Sequence, residues 1–195
     1  MTYPWCDKSY VETYYNDDEE WIGADIYGLQ VPYAQRYREN SFATMTAPAF
    51  MVAPAEDVND GDELEFKSAA SYFRVPVKGV GNLKKLYLEI SNGPIAGGID
   101  VYVTNDEDIA DDAADWGYSR GKIGDMHFVL IHDGNNQDYD KEDWINDNTI
   151  CVDFGSTPLP LSSTTAKDIY FVIKSGFDLE GARIRYYADI EGVEN

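Results

Sequence analysis

From Tyr72 to Ile190 the chain alternates apolar and polar residues through short runs, with no stretch between them that reads as a helix. Phe73, Val75 and Val77 share one parity, as do Leu86, Leu88 and Ile90, and then Ile99, Val101 and Val103. Ile150, Val152 and Phe154 repeat the pattern, followed by Ile169, Phe171 and Ile173, and by Ile184, Tyr186, Ala188 and Ile190. Successive strand side chains point to opposite faces, so each run predicts a strand with one wet and one buried face. Segment 126–131 is apolar on both parities (Met126, Phe128 and Leu130; Val129 and Ile131), which predicts a central strand. The expected fold is all-β, a β-sandwich or jelly-roll-like architecture, mainly antiparallel, preceded by an extended N-terminal arm.

Residues 1–60 differ in character from the rest of the chain. Tyr10, Tyr14, Tyr15, Trp21, Tyr27, Tyr33 and Tyr37 are spread through acidic and polar sequence, with Asp17-Asp18-Glu19-Glu20 among them. Segments 26–31 and 42–52 read as extended, but Pro32, Pro48 and Pro54 punctuate this region, and central strands tolerate proline poorly. The expected division is a 1–60 aromatic, acidic arm with one or two strands and a 61–195 sandwich domain. So many aromatic residues need a surface to pack on. That surface is either the chain's own sandwich or a neighbouring subunit, because aromatic side chains supply much interface energy. The seven aromatic residues named here are the candidate partner-binding set.

The chain of 195 residues carries a formal charge of −21. Nucleic-acid binding requires Lys and Arg to neutralise phosphates, so this balance argues against it. It argues equally against docking on anionic membranes. It favours cations or a basic partner surface, and the plainer reading is an acidic, well-solvated exterior. Two cysteines, Cys6 and Cys151, are separated by most of the chain and do not make a disulfide framework; two reduced thiols are expected, with a single Cys6–Cys151 bridge pinning the N-terminus as the alternative. Met1-Thr2-Tyr3-Pro4-Trp5-Cys6-Asp7 lacks the basic and apolar regions of a signal peptide. Either the protein is made and assembled inside a cell, or a leader has been removed.

Tyr72-Phe73-Arg74-Val75, Leu86-Tyr87-Leu88-Glu89-Ile90, Ile99-Asp100-Val101-Tyr102-Val103, Ile169-Tyr170-Phe171-Val172-Ile173 and Arg185-Tyr186-Tyr187 together form a pattern. Over roughly residues 60–190 it resembles bacterial pre-peptidase C-terminal domains. That resemblance implies a small extracellular β-sandwich that binds carbohydrate or calcium. A sandwich with a long arm and no leader is also similar in architecture to virion accessory proteins of tailed bacteriophages. That second likeness implies a structural role on a particle.

Several constellations bear on chemistry. Gly117-Tyr118-Ser119-Arg120-Gly121 matches the nucleophile-elbow spacing, but that motif works only on a sharp turn from a buried strand into a helix. The preceding Asp111-Asp112-Ala113-Ala114-Asp115-Trp116 is no buried strand, so a glycine-flanked loop tip is the better reading. His127 and His132 fall on opposite strand parities and do not suit a shared metal. Two acidic segments stand out, read as loops over 105–124 and 132–148. The second offers oxygen ligands for calcium at Asp133, Asn135, Asp138 and Asp140. The EF-hand register fails there, since its glycine position holds Asp138 and its twelfth position Trp144. Trp116, Tyr118, Tyr139 and Trp144 accompany these carboxylates and suit stacking on sugars. The plainer alternative is that the aromatics anchor their loops and the carboxylates are simply solvated.

No catalytic set emerges, so a non-enzymatic structural or binding protein is expected. The favoured setting is a virion, as a capsid decoration, collar or fibre component docking through the arm, with a homo-oligomer as an alternative partner. The rival is an extracellular carbohydrate- or calcium-binding module.

Overall fold

The fold is that of a computed structural model, which describes residues 2–3, 10–39, 41, 51–52, 61, 63, 66–68, 70–114, 119–123, 126–131, 148–175 and 179–193. In chain order the elements are β1 (Thr2–Tyr3), β2 (Tyr10–Tyr15), β3 (Trp21–Val31), β4 (Ala34–Arg36), β5 (Met51–Val52), β6 (Lys67–Ser68), β7 (Ala70–Val77), β8 (Asn82–Ile90), β9 (Gly97–Thr104), α1 (Glu107–Ala114), β10 (Ser119–Ile123), β11 (Met126–Ile131), β12 (Thr149–Asp153), β13 (Leu159–Pro160), β14 (Lys167–Lys174) and β15 (Ile184–Ile190). The architecture is all-β, as the alternation predicts, and each alternating run is a strand. Residues 1–60, expected to hold one or two strands, supply five among the described residues. No helix among the described residues is long and apolar enough to cross a membrane.

Helix α1 corrects the expectation of a helix-free chain and divides the acidic segment 105–124. Its start is built locally. The Asp106 carboxylate accepts the N–H groups of Asp108 at 2.9 Å and Ile109 at 3.2 Å. Such a side-chain cap satisfies amides that a helix start leaves unpaired. Glu107 and Asp108 occupy the first turn, where carboxylates complement the helix dipole. Ala110 is fully buried and ties the acidic helix to the core.

The chain forms two compact units, each assembled from three separate stretches. The first takes residues 1–30, 49–70 and 98–143. It contains a five-stranded sheet in the order β10-β11-β9-β3-β2 and a three-stranded sheet β1-β5-β6. Ala24, Ile26, Leu29, Ile99, Val101, Val103 and Val129 are buried here. Strand β11 lies inside its sheet, between β10 and β9.

The second unit takes residues 31–48, 71–97 and 144–195. A five-stranded sheet runs β13-β8-β12-β4, with β15 also paired to β8, and a two-stranded sheet joins β14 to β7. All pairs of known register in the larger sheet are antiparallel except β12 with β4, which is parallel. The β8–β15 ladder has a bulge, since Asp189 pairs with Lys85 but Ile190 pairs with Leu83. The extra residue shifts the parity of β8, so Leu83 is buried along with Leu86, Leu88 and Ile90.

The two sheets of this second unit are tied through a buried amide. Gln35 on β4 donates from Nε2 to the Val172 carbonyl on β14 at 2.5 Å and accepts the Val172 N–H at 2.9 Å. Its Nε2 also reaches the Pro32 carbonyl at 3.2 Å. One side chain thereby satisfies both backbone groups of a residue on another strand, as a ladder partner would.

Strand β15 departs from its predicted burial. Ile184, Tyr186, Ala188 and Ile190 share a parity, and the register sets Ile184, Tyr186 and Ala188 opposite the buried Ile90, Leu88 and Leu86. Yet Ile184 and Tyr186 remain exposed. The strand pairs only with β8 among the described residues, so the core side of its apolar face is left open at a sheet edge. Phe73 on β7 covers part of it, 6.4 Å from the Tyr186 ring.

Candidate functional site

Strands β2 and β3 form a hairpin whose turn uses the acidic cluster. The Asn16 side-chain oxygen accepts the N–H groups of Asp18 at 3.0 Å and Glu20 at 2.9 Å. Glu19 takes a positive φ of 64°, a conformation that usually calls for glycine. The hairpin register sets Tyr10 opposite Tyr27, Glu12 opposite Asp25, Tyr14 opposite Gly23 and Tyr15 opposite Trp21. Alternation then places Tyr14, Asp25 and Tyr27 on one face.

On that face three tyrosines and one aspartate meet. The hydroxyls of Tyr14 and Tyr27 each donate to Asp25 Oδ2 at 2.8 Å, and their oxygens lie 3.2 Å apart. Tyr102, on the adjacent strand β9, completes the group with its ring 6.4 Å from that of Tyr14. Gly23 makes room for it. A Cβ there would lie 2.6 Å from the Tyr102 hydroxyl and 2.9 Å from the Val103 carbonyl oxygen. Thr104 anchors the end of β9 by donating to the Ile22 carbonyl at 2.5 Å.

Burial dominates the electrostatics. It pushes the Tyr14 phenol up to about 12, with the Asp25 charge adding to the effect. Tyr27 is raised further, for the same reason and through its hydrogen bonds to Tyr14 and Asp25. Asp25 is also raised, because desolvation outweighs the two phenols that stabilise its charge. Tyr102 is raised by burial and then by the Asp25 charge. Phenols so perturbed stay protonated near neutral pH and are poor bases. What the cluster does well is hold aromatic rings in fixed orientation, since hydrogen bonds lock their polar tips.

The remaining aromatic candidates separate. Tyr15 is 59% exposed, Val11 four residues before it on β2 is also exposed, and Trp21 is half-buried. Tyr10 opens β2. Tyr33 and Tyr37 belong to the second unit. There Tyr33 is exposed, and Tyr37 packs on Phe154 with ring centroids 4.7 Å apart. Burial also raises the Tyr37 phenol. Gly23, Asp25 and Tyr102 lie outside the candidates that the sequence suggests. The Asp-x-Tyr spacing at Asp25-Ile26-Tyr27 and Asp100-Val101-Tyr102 also occurs at Asp168-Ile169-Tyr170, outside the cluster, so no local signal singles these residues out.

Trp116, Tyr118, Tyr139 and Trp144 lie outside the described residues, as do Asp133, Asn135, Asp138, Asp140, His132 and Cys6. Among the described residues no group of His, Cys, Asp or Glu is arranged to hold a metal ion. Ser119 opens strand β10, which pairs with β11 from Ser119↔Leu130 to Ile123↔Met126. That corrects the loop-tip expectation, and it is not the strand-to-helix turn that a nucleophile elbow requires. Cys151 keeps a free, buried thiol, and burial raises its pKa above the ordinary thiol value. No protein-family model matches the chain, and comparison with curated proteins and with solved structures gave no match.

Proposed function

We propose that this chain is a non-enzymatic structural or binding protein that docks to a larger assembly through its β2–β3 hairpin. The carrying observation is the hairpin's combination of exposed Tyr15 and Val11, half-buried Trp21, and rings held by Asp25 beneath an acidic tip. Rigid aromatic side chains bind with little entropy to lose, and interface hot spots favour Tyr and Trp. The Asp17–Glu20 tip suits a basic patch on the partner and would steer its approach. The assembly proposed is a particle such as a virion, with the chain as a decoration, collar or fibre component.

The test is co-sedimentation of the full chain with particles purified from its native source, beside a Val11→Ser/Tyr15→Ser double variant. Both side chains are exposed, so the variant should keep its melting temperature. We expect the native chain to pellet with the particle and the variant to stay in the supernatant. Equal recovery of both with the particle refutes docking through the hairpin. Absence of the native chain from every particle fraction, with binding to a glycan array, favours the extracellular carbohydrate-binding role instead.

A further inference from the structure

The outward face of the second unit's larger sheet is ordered in rows across its strands. Asp189, Lys85, Asp153 and Arg36 stand opposite one another on β15, β8, β12 and β4, so charge alternates in sign along the row. Lys85 Nζ lies 3.7 Å from Asp153 Oδ2, and the offset Lys84 lies 3.9 Å from Asp189 Oδ2. A second row sets Arg185 opposite Glu89 with a 3.5 Å contact. Between them runs a row of Tyr187, Tyr87, Cys151 and Ala34. The Tyr187 hydroxyl donates to Glu89 at 2.9 Å, and burial pushes the Tyr87 phenol up to about 12. All three rows reach the edge at β15, with Arg185, Tyr187 and Asp189 in turn.

The backbone of β15 is open at that edge. Ser91 donates to the Arg183 carbonyl and Glu191 to the Asn82 carbonyl, so alternation turns Arg185, Tyr187 and Asp189 toward β8. The N–H and C=O groups of Ile184, Tyr186 and Ala188 then point away from it. No strand among the described residues takes them up. Ile184 is 37% exposed, Tyr186 46% and Tyr187 47%.

We propose that this edge is an interface between two copies of the chain, whose β15 strands pair antiparallel about a two-fold axis at Tyr187. The sequence Ile184-Arg185-Tyr186-Tyr187-Ala188-Asp189-Ile190 is complementary to its own reverse. Antiparallel pairing about Tyr187 puts Arg185 opposite Asp189 of the second copy, and Asp189 opposite its Arg185. The alternating charge row thus continues across the axis without a break in sign. Tyr187 faces its own counterpart, which extends the tyrosine row. On the other face Tyr186 meets Ala188 and Ile184 meets Ile190, which extends the apolar surface that starts at Leu88 and Ile90. Backbone directions agree, since Tyr186 and Ala188 both point outward and form a hydrogen-bonded pair, while the Tyr187 pair sits at a close, non-bonded position. A two-fold interface must be complementary to itself, and this strand is. An open edge of this kind is otherwise an aggregation risk. The proposal rests on a different surface from the β2–β3 hairpin, so either can fail alone.

The test is sedimentation equilibrium of the full chain, with an expected concentration-dependent species of twice the chain mass of 21.9 kDa. Arg185→Asp sets two carboxylates face to face across the axis, and Asp189→Arg sets two cations face to face. Each alone should weaken self-association by at least about tenfold. Mixed in equal amounts they should pair with each other, because every contact is then opposite in sign. Ala188→Pro removes one outward N–H at a position where an edge strand accepts proline, and should give a folded monomer. Added salt should strengthen the native pairing, because it screens repulsion between two copies that each carry −21. A native chain that stays monomeric into the millimolar range overturns the proposal. So does a folded Ala188→Pro variant that associates undiminished, or two folded charge variants that fail to pair when mixed.

Discussion

Replacing Gln35 with methionine isolates the tie between the two sheets of the second unit. Methionine matches the length of glutamine and fills the space, but it neither donates nor accepts well. Gln35 is 1% exposed, so the Val172 N–H and C=O lose their partners where water does not replace them. A buried backbone group left unpaired costs about 1–3 kcal/mol, and two are orphaned. The apolar side chain recovers part of this, since it need not be stripped of hydrogen-bonded water. A net loss of about 2–4 kcal/mol results. Set against a typical total of roughly 5–15 kcal/mol, that is a large fraction. A domain of this size shifts by about 2–4 °C per kcal/mol, so melting should fall by about 5–15 °C. Urea unfolding should give a lower midpoint with an unchanged slope. Gln35→Glu adds a pH signature. Burial raises the folded pKa of the introduced carboxyl above its unfolded value. Its protonated form can donate to the Val172 carbonyl, so the variant is most stable below the unfolded pKa and loses stability as pH rises through the folded one. A Gln35→Met protein within about 0.5 kcal/mol of native would refute the claim that this amide replaces a ladder partner.

Gly23→Ala should destabilise by about 1–3 kcal/mol, because the new methyl meets a backbone carbonyl as well as the Tyr102 ring. Near-ultraviolet dichroism should lose part of its tyrosine signal, and an unchanged spectrum counts against the packing described. Glu19→Gly should stabilise by about 1 kcal/mol in urea titrations, since it relieves a left-handed residue and thins an acidic cluster. Alkaline titration followed by phenolate absorbance should show tyrosines ionising late. Tyr14 and Tyr87 carry folded pKa values raised to about 12 from 10.0, so their contribution to stability is complete below pH 10 and is lost as pH rises through about 12. Tyr14→Phe should remove one late-ionising group, and a profile identical to native would contradict the cluster.

Strand positions were legible because alternation is a local property. Leu86, Leu88 and Ile90 declare β8 without reference to any neighbour. Burial was less legible, because it depends on what lies alongside. Ile184 and Tyr186 have the parity of core residues, yet the strand is at an edge and they stay exposed. Cys151 shows the converse, since it faces away from Ile150 and Val152 and is buried nevertheless. Helix α1 was obscured because its acidic residues resemble a solvated loop. The tyrosine cluster was half-visible. Tyr14 and Tyr27 could be named from composition alone. Asp25 and Tyr102 join them only through pairings between strands, and no local pattern reports that β9 lies beside β3.

The threading of each unit from three distant stretches also constrains how this chain reaches its fold. Gln35 meets Val172 across 137 positions, and Thr104 meets Ile22 across 82. Loops of that length must close before their contacts stabilise anything, so the chain belongs with slow, high-contact-order folders. During synthesis β4 emerges long before β12 and β14 exist to receive it, and it must stay soluble while it waits. The abundant carboxylates serve an emerging, unpaired chain as well as the finished surface, since like charges keep incomplete chains apart. Neither unit corresponds to a contiguous fragment that could be cut out and expressed, and limited proteolysis should yield nicked, associated pieces rather than a free stable half.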